Sequence, residues 1–190
     1  MTWLIVVLAI VVVFVIGAVA IPQVRSRALK QRFGPEYERL LDEEGDRRSV
    51  EAELRGRVKR RDTLDIRDLE PGARDEYTEQ WLVVQQRFID EPEKTVAEAD
   101  GLLQTVMRER GYPVDEFDER IEMMSVDHPD LANNYRVAHA IQLRSEQEQA
   151  STDDLREAFQ RYRSLFAELL ADGLPDAEND HNDDLREGDA

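Results

Sequence analysis

Apolar residues are distributed along this chain in three ways. They fill an unbroken opening stretch, thin to a narrow seam through a charged stretch, and then recur at helical spacing over most of the remainder. The opening stretch, Trp3 to Ile21, is 19 residues long and carries no charge. At about 1.5 Å of rise per residue, a helix of that length spans roughly 28 Å, close to the hydrocarbon thickness of a bilayer. The pattern predicts a transmembrane anchor over residues 1–24. Trp3 suits one interface, and Pro22 falls near the other, where a helix can bend or restart at little cost. Gly17 has Val13 and Ile21 four residues to either side, so no GxxxG dimer face is expected.

The flanks predict an orientation. Arg25, Arg27, Lys30 and Arg32 follow the run, and no Lys or Arg precedes it. Basic flanks stay on the cytoplasmic side, so the N-terminus is expected outside and the C-terminal body in the cytosol. The rival reading is a cleaved secretory signal, for which Ala18-Val19-Ala20 supplies a small-x-small site. Against it, the run exceeds the roughly 7–15 residues of a signal h-region and has no basic residue ahead of it.

Residues 25–62 read as a charged helical neck. Arg25 to Phe33 is expected to be helical until Gly34-Pro35 interrupts it, and Pro35 suits the first position of a new helix. Tyr37, Leu40 and Leu41 form that helix's short apolar stripe, which ends near Gly45. From Asp46 to Arg61 charge dominates, and Val50, Leu54 and Val58 make one seam at every fourth position. Glu43, Glu44, Glu51 and Glu53 precede Arg47, Arg48, Arg55 and Arg57 by four residues, the favourable order for helix-surface pairs. Such a helix is mostly solvated and leans on a partner along one line. Gly56 lowers its intrinsic stability.

Residues 63–171 predict a compact helical bundle, and the chain as a whole an all-α fold. Thr63 to Leu69 reads as an extended connector whose Leu64, Ile66 and Leu69 dip into the core. Helical periodicity then marks Pro71 to Ile89 (Tyr77, Trp81, Val84, Phe88) and Pro92 to Gly111 (Val96, Ala99, Leu103, Val106). It continues over Asp115 to Met124 (Phe117, Ile121, Met124) and from Pro129 onward (Leu131, Tyr135, Ala138, Ile141). The last helix opens at Ser151 to Asp154, an acidic variant of the capping box, and shows Leu155, Phe159, Tyr162, Phe166 and Leu169. Residues 172–190 are acidic and poor in apolar side chains, the composition of a disordered tail.

Charge sharpens this division. Residues 25–61 hold 12 basic and 8 acidic side chains, whereas residues 62–190 hold 13 and 34. The acidic body argues against nucleic acid as a partner, since that needs a positive face. With no cysteine in the chain, disulfides, zinc thiolates and thiol catalysis are excluded. Arg outnumbers Lys 22 to 3, which fits the codon usage of a GC-rich bacterium.

The segment most open to chemistry is SVDHPDLANNYRVAH, Ser125 to His139. Its two histidines are eleven residues apart, about 16 Å along a helix, which gives neither an i,i+4 metal pair nor an HExxH motif. The plain reading is that Asp127 or His128 caps the helix begun by Pro129, and that His139 edges an apolar face. A small ligand pocket near Tyr112, His128, Tyr135 and His139 is the alternative. Arg108 to Pro113 reads as a helix end, its basic residues suiting the negative terminus. Asp115 to Glu119 lacks the alternating ligands and turn glycine of an EF-hand. His181 lies in the tail. Phosphate-loop, dinucleotide, nucleophile-elbow and zinc motifs are absent from the sequence.

Three segments carry a resemblance: RFGPEYERLLDEEGDRRSVEAELRGRVKRRDTLDIRDLEP from Arg32 to Pro71, FIDEPEKTVAEADGLLQTVMRERGYPVDEF from Phe88 to Phe117, and SVDHPDLANNYRVAH. Together they are similar to a family of uncharacterised bacterial membrane-anchored proteins, over about Arg32 to Leu170. The resemblance implies a small helical architecture and no activity or catalytic residue. The expectation is a non-enzymatic adaptor of the bacterial inner membrane, with a protein partner, no cofactor and no metal. The alternatives are a ligand or stress sensor, and an exported protein if the opening segment is cleaved.

Overall fold

The computed structural model describes residue 3 and residues 26–171, and among these the regular elements are all α-helices. The expected anchor over residues 1–24, Trp3 apart, and the expected tail over residues 172–190 lie outside the described residues. Among the described residues, no helix is long and apolar enough to cross a membrane. The helices are α1 over 26–33, α2 Pro35–Glu44, α3 Arg47–Arg61, α4 Pro71–Arg87, α5 Pro92–Glu109, α6 Phe117–Asp127, α7 Pro129–Glu146 and α8 Thr152–Ala171.

These helices form two compact units. The first unit joins the described residues up to Leu64 to Asp115–Asn133, and the second joins Asp65–Val114 to the residues from Asn134 on. The stretch expected to be a solvated neck therefore has a core of its own. Phe33, Tyr37, Leu40, Val50 and Leu54 are buried with Val126 of α6, and Leu29, Leu41 and Val58 pack on them. The partner of the Val50–Leu54 seam is thus α1, α2 and α6 of the same chain.

Local chemistry sets the helix ends. Gly34 and Gly45 have φ of 43° and 70°, left-handed conformations that side chains rarely adopt, and Pro35 opens α2. The Gly45 amide donates to the Leu41 carbonyl at 2.9 Å and closes α2. Asp46 caps α3, accepting from the Ser49 and Arg48 amides at 3.0 and 3.3 Å. Because α2 ends at Glu44, Glu43 and Arg47 are not on one helix, and Glu43 pairs with Arg39 instead at 2.5 Å. The α6 helix runs from Phe117 rather than Asp115, and past Met124 to Asp127. It stops at His128, whose φ of −133° and ψ of 70° follow from the proline after it.

In the second unit α5 packs on α8 and on α4. Trp81 of α4 stacks on Phe159 and Phe166 of α8 with ring centroids 5.2 and 4.8 Å apart, and Phe88 stacks on Phe159 at 4.6 Å. Tyr135 meets Tyr162 edge-on at 6.1 Å, and the Tyr162 hydroxyl donates to Gln142 at 2.8 Å. Ser151 and Asp154 form the expected capping box. The Ser151 amide donates to the Asp154 carboxylate at 2.8 Å, and the Asp154 amide donates to Ser151 Oγ at 3.1 Å. Of the connector residues expected in the core, Leu69 is buried while Leu64 and Ile66 are half-buried.

The connector is fastened to the end of α5. Arg67 donates its amide to the Arg110 carbonyl at 2.9 Å and its Nε to the Glu109 carbonyl at 3.0 Å. Gly111, at φ +90°, makes room for this contact, since a Cβ there would sit 2.2 Å from the Asp65 carbonyl oxygen. Gly111→Ala should therefore cost at least about 2 kcal/mol, from clash and strained backbone together. Gly101 lies within α5 with nothing within 4 Å of a Cβ, so Gly101→Ala should stabilise by up to about 1 kcal/mol. Urea unfolding of the two variants, followed by circular dichroism, should move the midpoint in opposite directions.

Candidate functional site

Each of the four residues considered for a ligand pocket has local partners. Tyr135 is fully buried on α7, and His139, one turn on, meets it edge-on with ring centroids 6.4 Å apart. Tyr112 is buried just beyond α5, with its amide bonded to the Met107 carbonyl at 2.9 Å and its ring 5.8 Å from the Arg110 guanidinium. His128, in the other unit, is the hinge between α6 and α7. Its amide donates to Met124 at 2.7 Å, and its carbonyl accepts from Leu131 and Ala132 at 3.1 Å each. So Tyr135 and His139 come together, the Arg110 guanidinium lies over the Tyr112 ring, and His128 closes α6 while its carbonyl accepts from the first turn of α7.

The strongest side-chain chemistry lies in the first unit, in residues that the charge pattern alone presents as solvated. Glu36 and Arg57 are buried, with side-chain exposures of 1% and 5%, and pair at 2.7 Å. Arg39 grips the same carboxylate through two nitrogens, at 2.8 and 3.1 Å. Arg57 also donates to Glu53 at 3.0 Å and to Ser125 Oγ of α6 at 3.4 Å. Arg60 joins Glu53 to Glu122 of α6, at 3.3 and 2.7 Å, and Arg61 holds both Asp127 oxygens at 2.9 and 2.8 Å. Burial works against the charge on Glu53, but the hydrogen bond and charge of Arg57, with Arg60, hold its carboxyl below the ordinary value. Spacing carries the signal that finds these residues. Glu36 follows Phe33 by three and precedes Leu40 by four, and Arg57 follows Leu54 by three, so both share the inner flank of an apolar seam.

Between α1 and α3 of that unit lies an open groove of about 290 Å³, lined by Ala28, Leu29, Arg32, Arg55 and Val58. Its size is at the lower edge of the roughly 300–1,000 Å³ typical of ligand pockets. The wall is mostly apolar, and two guanidinium groups stand on it. Arg32 donates its Nε to the Val126 carbonyl at 3.3 Å, and among the described residues it has no carboxylate within ion-pairing distance. Arg55 lies 3.6 Å from Glu51 with its side chain half exposed, a surface pair of little net strength. Hydrogen bonding from Ser26 and then from Arg47 already holds Glu51 below its ordinary pKa.

A second hollow, about 360 Å³, is lined by Asn134, Glu157, Gln160, Arg161 and Ser164. Its groups satisfy one another, for Arg161 donates to Glu157 at 2.6 and 3.0 Å and to Asn134 at 2.7 Å. Arg110, buried at the end of α5, donates to the Leu169 carbonyl at 3.1 Å and so places a cation on the negative terminus of α8. Tyr77 donates to Glu109 at 2.5 Å. Burial and then this bond push its pKa up to about 12. Among the described residues, no group of three or more His, Asp or Glu side chains is placed to hold a metal ion.

Comparison with family models, curated protein sequences and solved structures finds no match for the chain. The functional reading therefore rests on the chain's own residues.

Two measurements test the electrostatics. Arg57→Met should cost about 3 kcal/mol, because it strips the buried Glu36 carboxylate of a buried cationic partner. Glu36→Leu combined with Arg57→Met should recover much of that loss, and equal additive losses in a double-mutant cycle would show that the pair is not coupled. For Tyr77, a pKa raised in the folded state gives stability that is complete below the unfolded value near 10 and is lost as pH rises toward about 12. Melting temperature should therefore fall more steeply above pH 10 in the natural chain than in Tyr77→Phe.

Proposed function

We propose that this chain is a membrane-tethered helical adaptor of the bacterial inner membrane, with no catalytic activity of its own and a protein partner on the cytoplasmic side. The observation that carries the reading is the order of three stretches. An uncharged 19-residue run comes first, a basic stretch of 12 cationic and 8 anionic residues follows, and then an acidic body of 13 and 34. Anionic headgroups attract the second by roughly 1 kcal/mol per nearby basic residue and repel the third. An acidic body of this kind is repelled by an anionic bilayer, so on this reading the apolar run and the basic stretch beside it do the holding. In the described residues the charged groups with the shortest contacts serve as ion pairs and caps, which suits a scaffold.

The chain lacks cysteine, so single-cysteine labelling reads its topology without background. In spheroplasts, Thr2→Cys should react with a membrane-impermeant maleimide, while the exposed Gln147→Cys should react only after permeabilisation. The opposite labelling would invert the topology. Recovery from culture fluid of a chain beginning at Ile21 would end the tethered reading and leave an exported helical protein.

A further inference from the structure

We propose that the groove between α1 and α3 seats the headgroup of an anionic phospholipid, its phosphate on Arg32 and Arg55 and its glycerol and first methylenes on Ala28, Leu29 and Val58. The seat presupposes the membrane tether proposed above. Three observations converge on it.

The first is position. Ala28 is seven positions after Ile21, a rise of about 10 Å where the chain is helical, one Debye length at ordinary salt. A groove held there meets bilayer lipid at high effective concentration, so modest intrinsic affinity suffices.

The second is charge. In this unit Arg39, Arg47, Arg57, Arg60 and Arg61 each have a carboxylate within 3.3 Å. Arg32 has none among the described residues, and the Arg55 contact with Glu51 is the longer 3.6 Å one. Arg32 is also aimed, because its Nε is fixed on the Val126 carbonyl while its two terminal nitrogens remain for a forked contact. Guanidinium planes match phosphate oxygens two at a time, which an ammonium does not.

The third is the wall. Three of the five lining residues are Ala28, Leu29 and Val58, and a small hydrophilic anion gains nothing from them. A phosphodiester carrying hydrocarbon uses both parts of the groove.

The test uses the full-length chain in a neutral detergent, titrated with dioctanoyl phosphatidylglycerol or dioctanoyl phosphatidylcholine, with bound lipid counted by native mass spectrometry. The phosphatidylglycerol should bind one molecule per chain, about tenfold tighter than the phosphatidylcholine. Arg55→Glu should abolish that preference. Its side chain is 52% exposed, so the variant keeps its fold. Arg48→Glu, an exposed site away from the groove with the same charge change, should hold affinity within about twofold. Equal affinity for the two lipids, or equal loss in Arg48→Glu and Arg55→Glu, would overturn the seat. Displacement of the lipid by inorganic phosphate would show a plain anion site and would also overturn it. Carbonate extraction of membranes from the same cells separates the two readings. Retention in the pellet without lipid preference sinks the seat and leaves the tether, whereas release into the supernatant sinks the tether itself.

Discussion

The first unit depends on one buried contact, Glu36 against Arg57 at 2.7 Å. Two charges with 1% and 5% of their side-chain surface exposed are costly to remove from water, and their meeting offsets that cost together with Arg39 on Glu36 and Glu53 on Arg57. That requirement fixes the arrangement of helices around them. α2 must present Glu36 to α3 at Arg57, and α6 must bring Ser125 to the same guanidinium. Any slip of α2 along α3 breaks this contact and leaves Glu36 with Arg39 and Arg57 with Glu53, partners on their own helices, as poorer compensation for the same burial. The apolar residues Tyr37, Leu40, Val50 and Leu54 would tolerate such slips far better, since hydrophobic burial has no direction. The ion pair therefore supplies register where the thin apolar seam supplies attraction.

The same contact explains why the chain is not divided where its composition changes. Charge density falls after Arg61, which suggests a boundary there, yet Arg57, Arg60 and Arg61 all reach α6, at sequence separations of 62 to 68. Closing so long a loop costs chain entropy that grows only slowly with length. Part of that closure is made locally. Arg67 and Arg110 exchange backbone and side-chain hydrogen bonds, so the segment from Asp65 to Val114 leaves and returns at neighbouring points. Gly111 is needed because that return brings backbone onto backbone.

What could be read from residue order was whatever repeats along one helix. The faces Val96–Ala99–Leu103–Val106 and Leu155–Phe159–Tyr162–Phe166–Leu169 are buried as their spacing requires, and Ser151 with Asp154 caps as its spacing requires. The i,i+4 pairs Glu51–Arg55 and Glu53–Arg57 form, while Glu43–Arg47 does not, because the turn at Gly45 falls between them. What residue order concealed was pairing between helices. Nothing in the spacing of Glu36 and Arg57, 21 residues apart, says that they meet. A charge on the flank of an apolar seam reads as solvated unless its partner is known. The α1–α3 groove was hidden for the same reason, since Leu29 and Val58 line it from different helices. Of the Tyr112, His128, Tyr135 and His139 group, the adjacency visible in sequence, Tyr135 with His139 at i,i+4, is a ring contact in the fold.

The pairing also changes what the basic stretch offers to an anionic surface. Arg39, Arg47, Arg55, Arg57, Arg60 and Arg61 sit beside carboxylates, and a cation a few ångströms from an anion acts at a distance as a dipole. Its field decays faster than that of a charge and is screened further within a Debye length of about 8–10 Å. Arg27, Arg32, Arg48 and Lys59 form no ion pair among the described residues, so on the proposed reading they carry the attraction that the stretch exerts. Three of them end in long flexible side chains in water, which attract without selecting. Arg32 differs, since the Val126 carbonyl holds its Nε and Leu29 and Val58 wall the space beside it. Attraction and recognition thus fall on different arginines, and a change at one need not alter the other.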